Sequence, residues 1–108
     1  MTLLPLTIRP IRPDAPSEYA FVRSAWMHSA VRMLPEHERE QFLRIQPRVI
    51  TALLVRSKTL LATHEDAFLG FIVGERHALY YTRMHYAFVK RVYRGLGIAK
   101  RLFAAITH

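Results

Sequence analysis

Residues 92–103, VYRGLGIAKRLF, follow directly on the apolar run MHYAFV at residues 84–89 and its Lys-Arg tail. Together they read as a strand, a glycine-punctuated turn and a basic amphipathic helix. Glycine lets the backbone take positive φ and lets a ligand approach with no Cβ in the way. A helix N-terminus offers backbone N–H groups that lack intrahelical partners, and the positive end of the macrodipole. Gly95 and Gly97, placed just ahead of such a terminus, predict an anion site suited to phosphate or pyrophosphate. Arg91, Arg94, Lys100 and Arg101 would add charge-assisted hydrogen bonds.

Other phosphate loops fit this stretch badly. A P-loop needs Gly-Lys-Ser/Thr after a longer glycine-spaced loop, and the dinucleotide fingerprint needs a third small residue where Lys100 stands. A turn with a purely structural purpose stays open at this point.

Working back from the loop, Tyr86-Ala87-Phe88-Val89 is the best strand of the second half. Upstream, Ala67 to Val73 is aromatic and β-branched, and Thr59 to Thr63 is a short apolar strand. With His64-Glu65-Asp66 as a polar turn, these two predict an antiparallel hairpin. Gly70 inside its second strand marks a bulge or a close backbone approach. Gly74-Glu75-Arg76 reads as a turn, with a further strand from Ala78 to Tyr81.

The first half is helical after a short strand at Leu6 to Arg9. Asp14 is a plausible N-cap and Pro16 suits the first turn. Tyr19, Val22, Trp26, Ala30 and Met33 recur at spacings of three and four and share one face. Pro35 restarts the chain, and Glu36, Glu38 and Glu40 suit the start of a second helix. Pro47 predicts a break before a further helix carrying Val49, Ile50, Leu53 and Leu54. The order of elements indicates an α+β fold, a mixed and mostly antiparallel sheet flanked by helices.

The 108 residues amount to one domain, residues 1–108, and 51% of them are apolar, which argues against disorder. There is no cysteine, so neither a disulfide scaffold nor a thiolate metal site is available. No window approaches the ~18 apolar residues of a membrane span, and the first residues do not read as a signal sequence. A cytoplasmic protein is expected. A formal charge of +8 favours an anionic partner.

The stretch from Val89 to Leu102 resembles the acetyl-CoA-binding motif of the GNAT superfamily of N-acetyltransferases. The family pattern Gln/Arg-x-x-Gly-x-Gly/Ala is met by Arg94, Gly97 and Ala99. The motif follows a strand, Ala87-Phe88-Val89, as it does in the family, and the upstream element order is similar. The resemblance implies that backbone groups of Ala87, Phe88 and Val89 pair with the pantetheine arm of acetyl-CoA. It further implies that N–H groups from Arg94, Gly95, Leu96, Gly97, Ile98 and Ala99 hold its pyrophosphate. Two departures stand out. Arg91 replaces a frequent proline, and the chain ends soon after the motif helix, where family members continue. A C-terminally truncated domain is therefore expected, its sheet completed by a second copy or a partner chain.

The activity implied is acetyl transfer from acetyl-CoA to an amine acceptor by direct attack. The alternatives are an inactive GNAT-like module that binds CoA or a protein partner, and a small basic nucleic-acid-binding protein. Glu75 is the first candidate for the general base, with His77, His85, Glu36 and His37 behind it. The histidines have irregular spacings and no HExxH, so no metal site is expected. The tyrosines among arginines do not form an RNA-binding signature, which weighs against nucleic acid. The acceptor's identity is not legible in the sequence.

Overall fold

A computed structural model of the chain describes residues 5–77 and 81–107. The strand expected at Ala78 to Tyr81 lies mostly outside the described residues. The elements are β1 (Thr7–Pro10), α1 (Pro16–Val31), α2 (Glu36–Arg56), β2 (Lys58–His64), β3 (Ala67–His77), β4 (Tyr81–Val89) and α3 (Ile98–Ile106). The four strands form one antiparallel sheet in sequence order. The α+β class is as expected, and every described strand pairing is antiparallel.

Strand alternation divides the core into two halves. Leu60, Ala62, Leu69, Ile72 and Val89 face α3, where they meet Ile98, Leu102 and Ile106. Leu61, Phe71 and Val73 face the other way, onto Val22 and Trp26 of α1 and Ile50 and Leu54 of α2. Nearly continuous burial along β2 and β3 follows, because both faces are covered.

Two bulges adjust this alternation. Between β2 and β3 the register slips at Ala62/Thr63, leaving Leu69 as the extra residue. The adjacent Gly70 has both roles its sequence position suggested, because a Cβ there would collide with the carbonyl of Phe88. The second slip, at Val73/Gly74, makes His85 the extra residue of β4. His85 and Tyr86 consequently both turn towards the α1–α2 face, which strict alternation would forbid.

Four local expectations need correction. The cap of α1 is Ala15 with no side-chain bond, because Asp14 lies in a tight turn closed by Ala15 N–H and the Arg12 carbonyl. Pro47 does not break α2. The N–H that it lacks would have served the carbonyl of Leu43, and both residues are exposed, so water can take that role. Gly74-Glu75-Arg76 is strand rather than turn, since β3 continues to His77 opposite β4. Met33, expected on the buried face, lies beyond α1 and is 80% exposed.

One buried ion pair joins β1 to α1. Arg9 donates two hydrogen bonds to the Glu18 carboxylate, at 3.0 and 2.8 Å, and the Arg12 backbone N–H adds a third at 2.8 Å. Glu18 is buried, so burial alone would push its carboxyl up. The Arg9 hydrogen bonds outweigh that and, with the Arg12 N–H, hold it at about 2.

Candidate functional site

The loop that opened the sequence reading has an unusual backbone. A short 3-10 turn over Arg91–Tyr93 leads to Gly95 at φ 85° and Gly97 at φ 79°. A Cβ on either glycine would meet open space, so positive φ, rather than crowding, accounts for both. Gly97 is the N-cap of α3 and has no side chain to satisfy the first turn. The first helical bond runs from Arg101 N–H to the Gly97 carbonyl at 3.1 Å.

In α1 and α2 the third N–H of the helix already bonds the cap carbonyl, at 3.0 Å in both. No such bond serves Lys100 in α3. Among the described residues the N–H groups of Gly95, Leu96 and Gly97 are also without partners, as are those of Ile98 and Ala99 in the first turn. Arg94 differs from the expectation, because its N–H is taken by the Arg91 carbonyl at 3.2 Å. Its side chain turns back instead, donating Nε–H to the Val89 carbonyl at 3.0 Å. The rest of the guanidinium has no described hydrogen-bond partner.

β4 is the outer strand of the sheet, and its pairing fixes which backbone groups stay free. Lys90 N–H donates to the Leu69 carbonyl at 2.8 Å, and Phe88 lies opposite Phe71. By antiparallel alternation, both backbone groups of Phe88 face β3, whereas those of Ala87 and Val89 point out of the sheet. Of the three residues read from the sequence, Phe88 is thus engaged, Ala87 is open, and Val89 keeps its N–H free while its carbonyl accepts from Arg94.

These features open on one cleft of about 650 Å³. One wall is Tyr86 to Val89 with Arg94 and Ala99, and the other is the second half of α1. The loop residues Gly95, Gly97, Ile98 and Lys100 line a smaller adjoining hollow that shares Val89, Arg94 and Ala99. The α1 wall is built by packing. Trp26 stacks on Tyr86 with ring centres 5.1 Å apart, and the Ser29 and Tyr86 hydroxyls bond each other. Trp26 is buried in that contact, and His37 is exposed.

His28 on that wall was not singled out in the sequence. Its Nδ1 lies 2.8 Å from the Ser24 carbonyl one turn earlier. A carbonyl only accepts, so this contact calls for a proton on Nδ1, and in the neutral ring Nε2 is then the acceptor. A histidine four residues after a serine on a helix gives no sign of this without the facing strand.

Glu75 stands elsewhere. It lies opposite Arg83, about 20 Å along the strands from the Val89 end, and does not line the cleft. Its carboxylate bonds His85 Nε2 at 2.9 Å and Arg56 Nε at 3.0 Å, with His77 at 3.9 Å. His85 first, then Arg56, lowers its pKa, which makes it a weaker base. The bulge that turns His85 inward makes this cluster a tie between α2 and the strands.

No protein-family model matches the sequence, and neither does any curated protein. The fold does match a solved structure, a "putative acetyltransferase of the GNAT family" from Desulfovibrio desulfuricans. The TM-score is 0.63 over 94% of this chain at 13% identity. The chain has a GNAT-like fold. It spans 63% of the length of that GNAT structure. Among the described residues no helix is long and apolar enough to cross a membrane, and no group of three or more His, Asp or Glu side chains is placed to hold a metal ion.

Proposed function

We propose that the cleft binds acetyl-CoA and that the protein is an N-acetyltransferase acting on an amine. The observation that carries this reading is a convergence. The unpartnered N–H groups of Gly95, Gly97, Ile98 and Ala99 border the smaller hollow, and the outward backbone groups of Ala87 and Val89 border the cleft that adjoins it through Val89, Arg94 and Ala99. A pyrophosphate suits the first set, and an extended amide-bearing arm suits the second as an added strand would. The GNAT-like fold agrees with both assignments.

Acetyl-CoA supplies an acyl carbon on which an uncharged amine forms a C–N bond as the C–S bond breaks. The residues present provide for the rest. Gly95 to Lys100 and the free end of the Arg94 guanidinium hold the phosphates. Ala87 and Val89 fix the arm, and an outward N–H of one of them is the donor available to the thioester carbonyl. His28 Nε2 accepts the proton lost by the amine and passes it to solvent, which reprotonates the departing sulfur. Glu75, tied to Arg56 and His85, is structural in this scheme.

The test is calorimetric titration of the wild-type chain and of an Arg94→Glu, Gly97→Glu double variant with acetyl-CoA and with CoA. Saturable binding by the wild type and its loss in the variant is expected. A folded wild-type chain that binds neither compound would overturn the reading.

A further inference from the structure

The cleft has two ends, and α1 tells them apart. Phe21, early in α1, lies beneath the Lys90 ammonium at 5.3 Å and 6.5 Å from the Phe88 ring. Further on, Trp26 and Ser29 meet Tyr86. The helix therefore runs antiparallel to β4, and its C-terminal cap Arg32 lies beyond Ser29, away from Lys90 and the glycine loop. With the phosphate groups at the loop end, Arg32, Met33 and the Ser29–Tyr86 pair surround the opposite end, where acyl group and acceptor meet.

The charge at that end has one sign. Among the described residues lining the cleft there is no carboxylate, and the ionisable side chains other than tyrosine are His28, Arg32 and Arg94. Arg94 has its Nε–H on the Val89 carbonyl and its free end assigned to the phosphates, whereas the whole Arg32 guanidinium has no described partner. Arg32 and His28 are four residues apart, so they are neighbours on the same face of the helix. A polycationic amine would meet repulsion here with no carboxylate to offset it. An amine that also bears an anionic group would find a guanidinium for the anion and, one turn away, an imidazole lone pair for the amine.

We infer that the acceptor is a small amine carrying a carboxylate or phosphate, and that Arg32 holds that anionic group. The inference rests on the acetyl-CoA reading of the same cleft. Arg32 would then determine specificity, and polyamines would be excluded by charge.

The experiment titrates CoA-saturated protein with L-glutamate, O-phosphoethanolamine and spermidine, using wild type, Arg32→Ala and Arg32→Lys. Arg32 is exposed, and thermal melts of the variants confirm folding. The expected result is saturable binding of at least one anionic amine, with the better ligand showing whether carboxylate or phosphate is preferred. Arg32→Ala should weaken that binding at least tenfold and change CoA affinity less than twofold, and Arg32→Lys should restore part of it. Tighter binding of spermidine, or no binding of either anionic amine, overturns the inference. So does an equal loss of CoA affinity in Arg32→Ala, which would assign Arg32 to the cofactor's phosphates. Failure of the wild type to bind CoA would overturn the acetyl-CoA reading and this inference with it. Normal CoA binding without anionic-amine binding overturns the inference alone.

Discussion

The two edges of the sheet are built to opposite purposes. β1 is four residues long, ends in Pro10, and has its arginine drawn onto a buried carboxylate of α1. Short length, proline and an inward charge pair are the usual means of blunting an edge strand. β4 is nine residues long and free of proline, its one inward ion-pairing residue, His85, lies mid-strand and away from the glycine loop, and its outward groups at Ala87 and Val89 face a cleft. The same sheet thus puts its strongest tie at one edge and its unsatisfied hydrogen-bonding capacity at the other. Open backbone on β4 is what the proposed acetyl-CoA arm would require.

The comparison breaks if damage to one edge spreads to the other. Glu18→Gln should have the largest effect, a loss of about 3 kcal/mol in urea unfolding, because it leaves Arg9 and the Arg12 N–H facing a neutral amide. CoA titration of the folded variant should be unchanged. Its acid behaviour sharpens the point. The Glu18 carboxyl titrates at about 2 when folded, against an ordinary 4.5, so its contribution is complete above pH 4.5 and fades as pH falls towards 2. That part of the pH dependence of stability should vanish in Glu18→Gln.

Gly70→Ala comes next, at about 2 kcal/mol, since the new methyl group must displace the Phe88 carbonyl. This variant should also weaken CoA binding, because moving β4 moves Ala87 and Val89. Gly97→Ala should cost about 1 kcal/mol for holding a side chain at positive φ. Its stability loss should be smaller than that of Gly70→Ala, with CoA affinity lowered as the loop relaxes. Ser29→Ala should be the mildest, about 0.5–1 kcal/mol in thermal or urea unfolding, for the lost partner of the Tyr86 hydroxyl. A Ser29→Ala loss matching Glu18→Gln would mean that the cleft wall, not the β1 edge, is the principal tie.

Legibility in the sequence followed the range of the interaction. The hairpin from β2 to β3, the glycine at a close approach and the helix after Gly97 were all readable, because each depends on residues near one another in the chain. The Arg9–Glu18 pair was not. Glu18 sits among polar residues at a helix start, where a solvated carboxylate is the ordinary outcome, and only the crossing of β1 and α1 buries it. Pro47 misled for a related reason: its cost depends on whether the orphaned carbonyl is wet, and that is a property of the packed surface. The bulge at His85 is equally invisible, since a one-residue slip in pairing leaves the amino-acid pattern unchanged.

At the candidate site the division runs through single residues. The sequence alone determined that Gly95 and Gly97 would take positive φ and leave N–H groups free ahead of a helix, because those properties are settled within one turn of backbone. Tertiary structure decided which backbone groups beside them are open. The pairing of Lys90 with Leu69 uses up Phe88 and turns Ala87 and Val89 outward, where only the Val89 carbonyl meets a partner, Arg94. It also decided that His28 and Arg32, some sixty residues earlier in the chain, complete the cleft. No local preference could assign them there, because their position comes from the packing of Trp26 and Ser29 on Tyr86, a contact made only once the sheet exists.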